Sequence, residues 1–452
     1  MRGDQLSIGA ESLDSLNEVS SPVRIVLLHD SKGKVLVILP GSHLLNLVVL
    51  WRESSRNLQP IPADNAVKFF KQEALSTSQG QRKLFTLPVY LDESCINMAS
   101  LDVVEPHSGL AFELPRKWLE GRASVIKIGL SPEMILQQQP QGTDEEVIIK
   151  AVERFTALRI KQRMEETLEL PSLPSTAIKV TQLRADPLAG VDRLLPIVKV
   201  DPSLAAQVMS WAASPYYGTS RELQSIDDAV IRVLGYDLVV NLALGVAMSK
   251  TLAIPEDGPR GHTPYWTQAV YTATLTERLC RKMQGDDAPK PGLVYLTGLV
   301  HNFGYAILSH IFPPQFTLLS RYLEVNPDMC VEQVERHVLH VTREQVAAWL
   351  FDCWNLPKEV CMGVRHVNTP MHASANCHSQ LVYIASRALR SVGFADGPAE
   401  KIDSQVLQAV GLLESEVIAE RDAMLTRSDQ LLELVQILGV RPKRNIKQKE
   451  RV

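Results

Sequence analysis

Beyond Leu170 nearly every stretch of this 452-residue chain repeats its apolar side chains at helical spacing, which restricts more than half of it to a bundle or stack of helices. The helix starts and stops are written in the same region. Asp201-Pro202 supplies an N-cap followed by a proline at the first helical position, with Leu204, Val208 and Trp211 one turn apart behind it. Ser225 with Asp228 resembles a capping box, and Gly235 closes that helix. Thr263-Pro264 starts another helix in the manner of Asp201-Pro202. Thr342 with Gln345 forms a T-x-x-Q box ahead of Val346, Trp349, Leu350 and Cys353, whose spacing predicts one buried face.

The front of the chain follows a different period. Val23 to Leu28 and Val35 to Leu39 are β-branched apolar runs around Asp30-Ser31-Lys32-Gly33, which predicts a hairpin. Leu87 to Leu91 reads as a further strand and Ala63 to Lys71 as a helix between strands, so this part is mixed α/β. The stretch QQQPQGT, Gln137 to Thr143, carries neither pattern. It is followed by a charged helix from Glu145 to Leu168 with Ile148, Val152 and Phe155 on one side. That helix either spaces two domains as a rod or packs as part of the second. The expected organisation is a mixed α/β domain over 1–136, a linker and connecting helix over 137–168, an all-helical domain over 169–440 and a basic tail over 441–452. The tail, with Arg441, Lys443, Arg444, Lys447, Lys449 and Arg451 against Glu450, reads as a solvated terminus.

At this length two or three hydrophobic cores are expected. Apolar residues at 45% and charged residues at 22% exclude a fibrous repeat or a largely disordered chain, and a net charge of -4 gives no overall field for nucleic acid or anionic lipid. The six cysteines, Cys95, Cys280, Cys330, Cys353, Cys361 and Cys377, form no C-x-x-C pair, which fits a reducing compartment. The polar stretch from Met1 to Ser20 lacks the apolar segment of a secretory signal, and no window reaches the roughly eighteen apolar residues of a membrane span. A cytoplasmic protein with no membrane association is expected.

The ordered series LPSLPSTAIKVTQL (Leu170 to Leu183), VDPSLAAQVMSWAASPYYG (Val200 to Gly218), SIDDAVIRVLG (Ser225 to Gly235), GLVHNFGYAIL (Gly298 to Leu308) and WNLP (Trp354 to Pro357) resembles the HDOD family. This resemblance spans roughly half the chain. It implies an all-α fold related to HD phosphohydrolases, in which His and Asp side chains from several helices hold divalent metal and lower the pKa of a bound water. The implied ligands are substituted here. The His-Asp doublet reads His301-Asn302, trading a carboxylate for a neutral amide. Gln268 stands two residues after Trp266 where a histidine is implied, and Arg343 stands eleven residues before Trp354 where relatives often place another. Arginine carries a fixed charge and repels a cation. Ser386, after Ala385, falls where an aspartate is implied. His301 and His366 remain and read as hydrogen-bonded structural histidines. His337 and His340 have i, i+3 spacing and read as a solvated face. Neither a metal nor any other cofactor is expected. Arg343, His301 and Asn302 together offer donors suited to an anionic phosphate or nucleotide, set against a purely internal polar network that packs helices.

PVRIVLLHDSKGKVLVILPG (Pro22 to Gly41) and LFTLPVYLDESC (Leu84 to Cys95) look like the YbaK/prolyl-tRNA-synthetase-associated domain, whose enzymes remove a wrongly attached amino acid from tRNA. In that register the family's strand lysine is Arg24, and its glycine-rich loop reads Gly80-Gln81-Arg82-Lys83-Leu84, keeping the glycine but not the proline. The two resemblances imply a bacterial regulatory protein that is not an enzyme, in which a degenerate editing-like domain is coupled to an HDOD output or scaffold module. The expected partner is a protein or a small anionic ligand, with tRNA ranking behind both; oligomeric state is not legible. Two alternatives stay open: aminoacyl-tRNA deacylation by the first domain and metal-dependent phosphohydrolysis by the second.

Overall fold

The structure, a computed structural model, describes residues 22–98, 101–156, 175–185, 189–217, 223, 225–251, 255, 258–283 and 288–439. The basic tail, the LPSLP segment and the end of the connecting helix beyond Thr156 lie outside the described residues. The chain divides into two compact units. One takes the chain up to Gln138 together with Pro259–Gly261 and Ser320–Met329, and the other takes the remainder. Two short segments from the helical half of the sequence thus belong to the first unit.

The first unit is built on a seven-stranded sheet. Its strands are β1 (Val23–Asp30), β2 (Gly33–Pro40), β4 (Gln59–Pro60), β5 (Val89–Asp92), β6 (Asp102–Val104), β7 (Ala111–Glu113) and β8 (Ala123–Ile126), in the order β7-β6-β1-β2-β5-β8 with β4 paired to β1. The short β3 (Leu44–Leu45) and β9 (Gly129–Leu130) pair separately. β1 and β2 form the expected hairpin, Asp30 opposite Gly33. Gly33 holds the turn at φ 118°, and Asp30 accepts from the Lys32 amide at 2.8 Å. The central strands are buried on both faces, so they read as continuous apolar runs. Val23, Ile25, Leu27, Leu36 and Ile38 pack one face onto Phe70, Phe85 and Trp118.

Arg24 occupies the opposite face and is only 2% exposed. Its guanidinium donates to the Val325 carbonyl at 2.8 Å, to the His43 carbonyl at 3.0 Å and to the Asn326 side-chain oxygen, which also accepts from the Leu45 amide at 2.7 Å. The position read as an editing residue therefore ties a strand to the end of a helix.

Gly80 corrects the sequence reading. It lies in a helix, Ser78–Leu84, capped by Thr77, and not in a loop. Its role is close approach: a β-carbon there would sit 1.6 Å from the Ala74 carbonyl oxygen. The partners of Arg24 do not include this helix.

The second unit is all-helical. The Tyr265–Cys280 helix packs against Pro291–Val300 and Cys377–Arg390, and Arg343–Cys353 packs against Phe303–Ile311 and Lys358–Arg365. The connecting helix is described as Asp144–Thr156 and packs on Arg343–Cys353 as part of this unit. Asp144 accepts from Gln345 Nε2 at 2.7 Å and pairs with the Arg365 guanidinium.

The Thr342–Gln345 capping box forms with both reciprocal bonds, Asp201 caps as expected through the Leu204 amide, and Ser225 accepts from the Asp228 amide as one half of the box expected there. The helix after Thr263 begins one residue later than expected, with Pro264 at the N-cap, because the Thr263 amide is bonded to Asp396 at 2.8 Å. The face of Arg343–Cys353 is also rotated from the expected one. Val346, Ala347, Leu350 and Phe351 are buried while Trp349 is half-buried and Cys353 exposed, because the helix is covered from more than one side. His337 and His340 are half-buried rather than on a fully solvated face, and burial lowers both imidazoles, His337 to about 4.

Candidate functional site

Two glycines in GLVHNFGYAIL bring the helices of this site together. A β-carbon on Gly298 would lie 2.6 Å from Ala273 Cα, so Pro291–Val300 crosses Tyr265–Cys280 at backbone contact. A β-carbon on Gly304 would lie 1.9 Å from the Arg343 carbonyl oxygen, so Phe303–Ile311 meets Arg343–Cys353 just as closely. Between them His301 ends one helix and Asn302 begins the next. These contacts converge Gln268, His301, Asn302, Arg343 and Ser386 on one cavity of about 100 Å³.

Each of these side chains has work within the fold. Arg343 Nε donates to Glu335 Oε1 at 2.5 Å, the Arg343 amide donates to Glu335 Oε2 at 2.9 Å, and Arg343 Nη1 donates to Asn302 Oδ1 at 2.6 Å. Its guanidinium carbon also lies 5.1 Å from the centre of the Tyr305 ring. Glu335 is fully buried, and burial pushes its carboxyl up while Arg343 pulls it back down. Gln268 donates to the Thr263 carbonyl at 2.9 Å and to Asp396, which His262 also approaches at 3.1 Å. His301 Nδ1 lies 2.6 Å from the Gly298 carbonyl, which fixes the proton on that nitrogen. Burial lowers the imidazole to about 4 and keeps it neutral.

His366 is not brought to the cavity. The following residues, Val367 and Asn368, line it instead, while the His366 ring bonds Thr369 at 3.1 Å and stacks on His372 at 4.4 Å between ring centres. Among the lining residues not singled out from the sequence are the basic Arg387 and Arg390, on the same helix as Ser386, and the acidic Glu332, Glu344 and Asp396. The i, i+1, i+4 spacing of Ser386, Arg387 and Arg390 was the available signal. Glu335 and Asp396 carried none. Among the described residues no group of three or more His, Cys, Asp or Glu side chains is arranged to hold a metal ion.

The site is thus a crossing of central helices within an all-helical unit, with a His-Asn doublet at the crossing. A family profile for the HDOD domain matches residues 170–370. A crystal structure from Marinobacter aquaeolei VT8, provisionally assigned to signal transduction, is similar at 32% identity and a TM-score of 0.84, covering 94% of this chain and 95% of that one. Residues 170–370 of this chain are an HDOD domain. An HDOD domain protein of unknown function from Geobacter sulfurreducens matches at 21% identity and a TM-score of 0.48, over 65% of this chain and 98% of its own. A protein from Shewanella amazonensis SB2B, provisionally called a phosphohydrolase, matches at 18% identity and 0.48, over 61% of this chain and 97% of its own. No curated protein matches the chain.

Proposed function

We propose that this chain is a non-catalytic regulatory protein in which the HDOD domain binds and transmits and does not hydrolyse. The carrying observation is the hydrogen bond from Arg343 to Asn302 at 2.6 Å. The residue in place of the doublet's aspartate is a neutral amide, and its oxygen is spent on a permanent cation. A divalent ion drawn to His301 would meet, in place of the doublet's carboxylate, a neutral amide oxygen already engaged by that guanidinium. The test is elemental analysis of the purified protein together with hydrolysis of a generic phosphodiester in added Mn²⁺. The expected result is substoichiometric metal and no turnover above buffer; stoichiometric metal with turnover lost in His301→Ala would sink the reading.

The first unit is read as a relative of the YbaK-type editing domain that has lost its chemistry. Arg24 supports this, since both terminal nitrogens are bonded to internal acceptors and its Nε, without an acceptor among the described residues, is itself buried. Release of amino acid from mischarged tRNA, measured on the full chain, is expected to stay at background. Six cysteines free of disulfides favour a cytoplasmic location, and among the described residues no single helix is long and apolar enough to cross a membrane. The partner is a protein or a small anion.

A further inference from the structure

The cavity beside His301 contains guanidinium groups that the fold leaves partly unused. Arg387 is 8% exposed. Its Nη2 donates to Glu400 at 3.2 Å and its guanidinium lies 3.6 Å from the centre of the Tyr383 ring, but its Nε and Nη1 are buried with no acceptor among the described residues. Arg390, one turn on, has its Nε buried without an acceptor. It is held against Gly397, where a β-carbon would come within 3.0 Å of the guanidinium carbon. Gly397 sits at φ 107°, a backbone conformation that favours glycine. Buried N–H groups without acceptors each cost on the order of 1–3 kcal/mol, and two neighbouring cations on one helix face repel as well. An anion between them would offset both costs.

The acids lining the same cavity do not serve that purpose. Asp396 is occupied by His262, Gln268 and the Thr263 amide, and Glu332 by Arg336 at 2.6 Å. Glu344 accepts from Asn368 at 3.0 Å through one oxygen while its other oxygen is buried without a partner among the described residues, and burial pushes its carboxyl up toward the neutral form, which can donate to an anion. Size narrows the ligand. A cavity of about 100 Å³ is well below the roughly 300–1,000 Å³ of sites that enclose drug-sized ligands, yet it has room for several water-sized groups. It fits a single tetrahedral oxyanion and excludes a whole nucleotide.

We propose that the cavity lined by Arg387 and Arg390 is a metal-free binding site for a phosphate group, either inorganic phosphate or the terminal phosphate of a larger monoester. Arg387 Nε and Nη1 and Arg390 Nε donate to its oxygens in charge-assisted bonds. This deepens the reading of the HDOD domain as a binding module and rests on it.

The test is thermal stability and calorimetric titration of the full chain with sodium phosphate, with a nucleoside monophosphate, and with sodium chloride at matched ionic strength. At a hundredfold excess over Kd, a ligand specific to the native state raises the melting temperature by about 5 °C or more. The expected result is such a rise with phosphate and none with chloride, reduced at least tenfold in affinity in Arg387→Met and in Arg390→Met. Arg390→Lys, which keeps the charge, guards against misreading a variant that fails to fold. A stronger response to the monophosphate identifies the larger monoester as the source, and an equal or weaker one identifies free phosphate. Equal responses to phosphate and chloride, or undiminished phosphate affinity in the folded Met variants, overturn the site while leaving the non-catalytic reading intact. Hydrolysis of the monoester with added metal would sink the non-catalytic reading instead, and is scored separately from affinity.

Discussion

The Arg343–Glu335 pair gives the sharpest test of how this domain is held together. Glu335 is fully buried and the Arg343 side chain is 11% exposed, with contacts of 2.5 Å and 2.9 Å between them and a further 2.6 Å bond to Asn302. Removing one member of a buried pair costs about 3–5 kcal/mol, because the other charge is left without compensation. The two single variants should nevertheless differ. In Glu335→Gln the guanidinium cannot shed its charge, so the full penalty applies at every ordinary pH. In Arg343→Met the carboxyl, already pushed up by burial, escapes by taking a proton. A carboxyl raised in the folded state contributes stability that is present at low pH and lost as pH rises through its folded value, so this variant should weaken between about pH 5 and 8. The double variant Arg343→Met with Glu335→Gln leaves no net charge and keeps an acceptor for the residue 343 amide. It should recover to within about 1 kcal/mol of wild type. Urea unfolding followed by circular dichroism reads all four proteins, with single-variant melting shifts on the order of 6–20 °C for a unit of this size. Additive single effects would show that the pair does not interact in solution, and single costs under about 1 kcal/mol would refute the claim that it is buried and dry.

Three further outcomes follow from the same geometry. Gly304→Ala places a β-carbon 1.9 Å from a backbone carbonyl that cannot rotate away, so a loss of about 3 kcal/mol or insoluble protein is expected; Gly393→Ala, with nothing within 4 Å but φ at 78°, should cost only about 1–2 kcal/mol by the same unfolding assay. His301, lowered to about 4 from an ordinary 6.5, is neutral when folded and protonated when unfolded. Its stability contribution is therefore present above pH 6.5 and lost as pH falls toward 4, by up to about 3 kcal/mol, and a pH series on His301→Gln should show that slope removed. Arg24→Lys cannot reach three acceptors with one ammonium group and should destabilise the first unit by about 2–4 kcal/mol in urea. Unchanged stability together with new deacylase activity would contradict the structural role given to Arg24.

What was legible along the chain was whatever depends on near neighbours. The Thr342–Gln345 box, the Asp201 and Ser225 caps, the β1–β2 hairpin and the helical period after Leu170 all rest on residues a few positions apart, where spacing alone dictates geometry. The HDOD motifs were legible for a related reason, since Gly298, His301, Asn302 and Gly304 crowd into one crossing. Gly80 misled because a glycine that permits close approach inside a helix looks, in sequence, like one that makes a turn. His366 misled because it caps the end of the Lys358–Arg365 helix, and in the turn that follows it is Val367 and Asn368 that line the cavity while the His366 ring stacks on His372.

By itself, then, the sequence determined the mixed α/β and all-helical fold classes of the two parts, while Gln268, Asn302 and Arg343 were substitutes for metal ligands only as the resemblance implied. Only the tertiary structure decided what those substitutes do. Arg24 meets Asn326 across 302 positions, Gln268 meets Asp396 across 128, and Arg343 meets Asn302 across 41. Whether a buried cation is spent on a carboxylate, as in Arg343, or left with open donors, as in Arg387, depends on which distant element happens to supply an acceptor. A hydrogen bond reaches about 3 Å in space and carries no period along the chain.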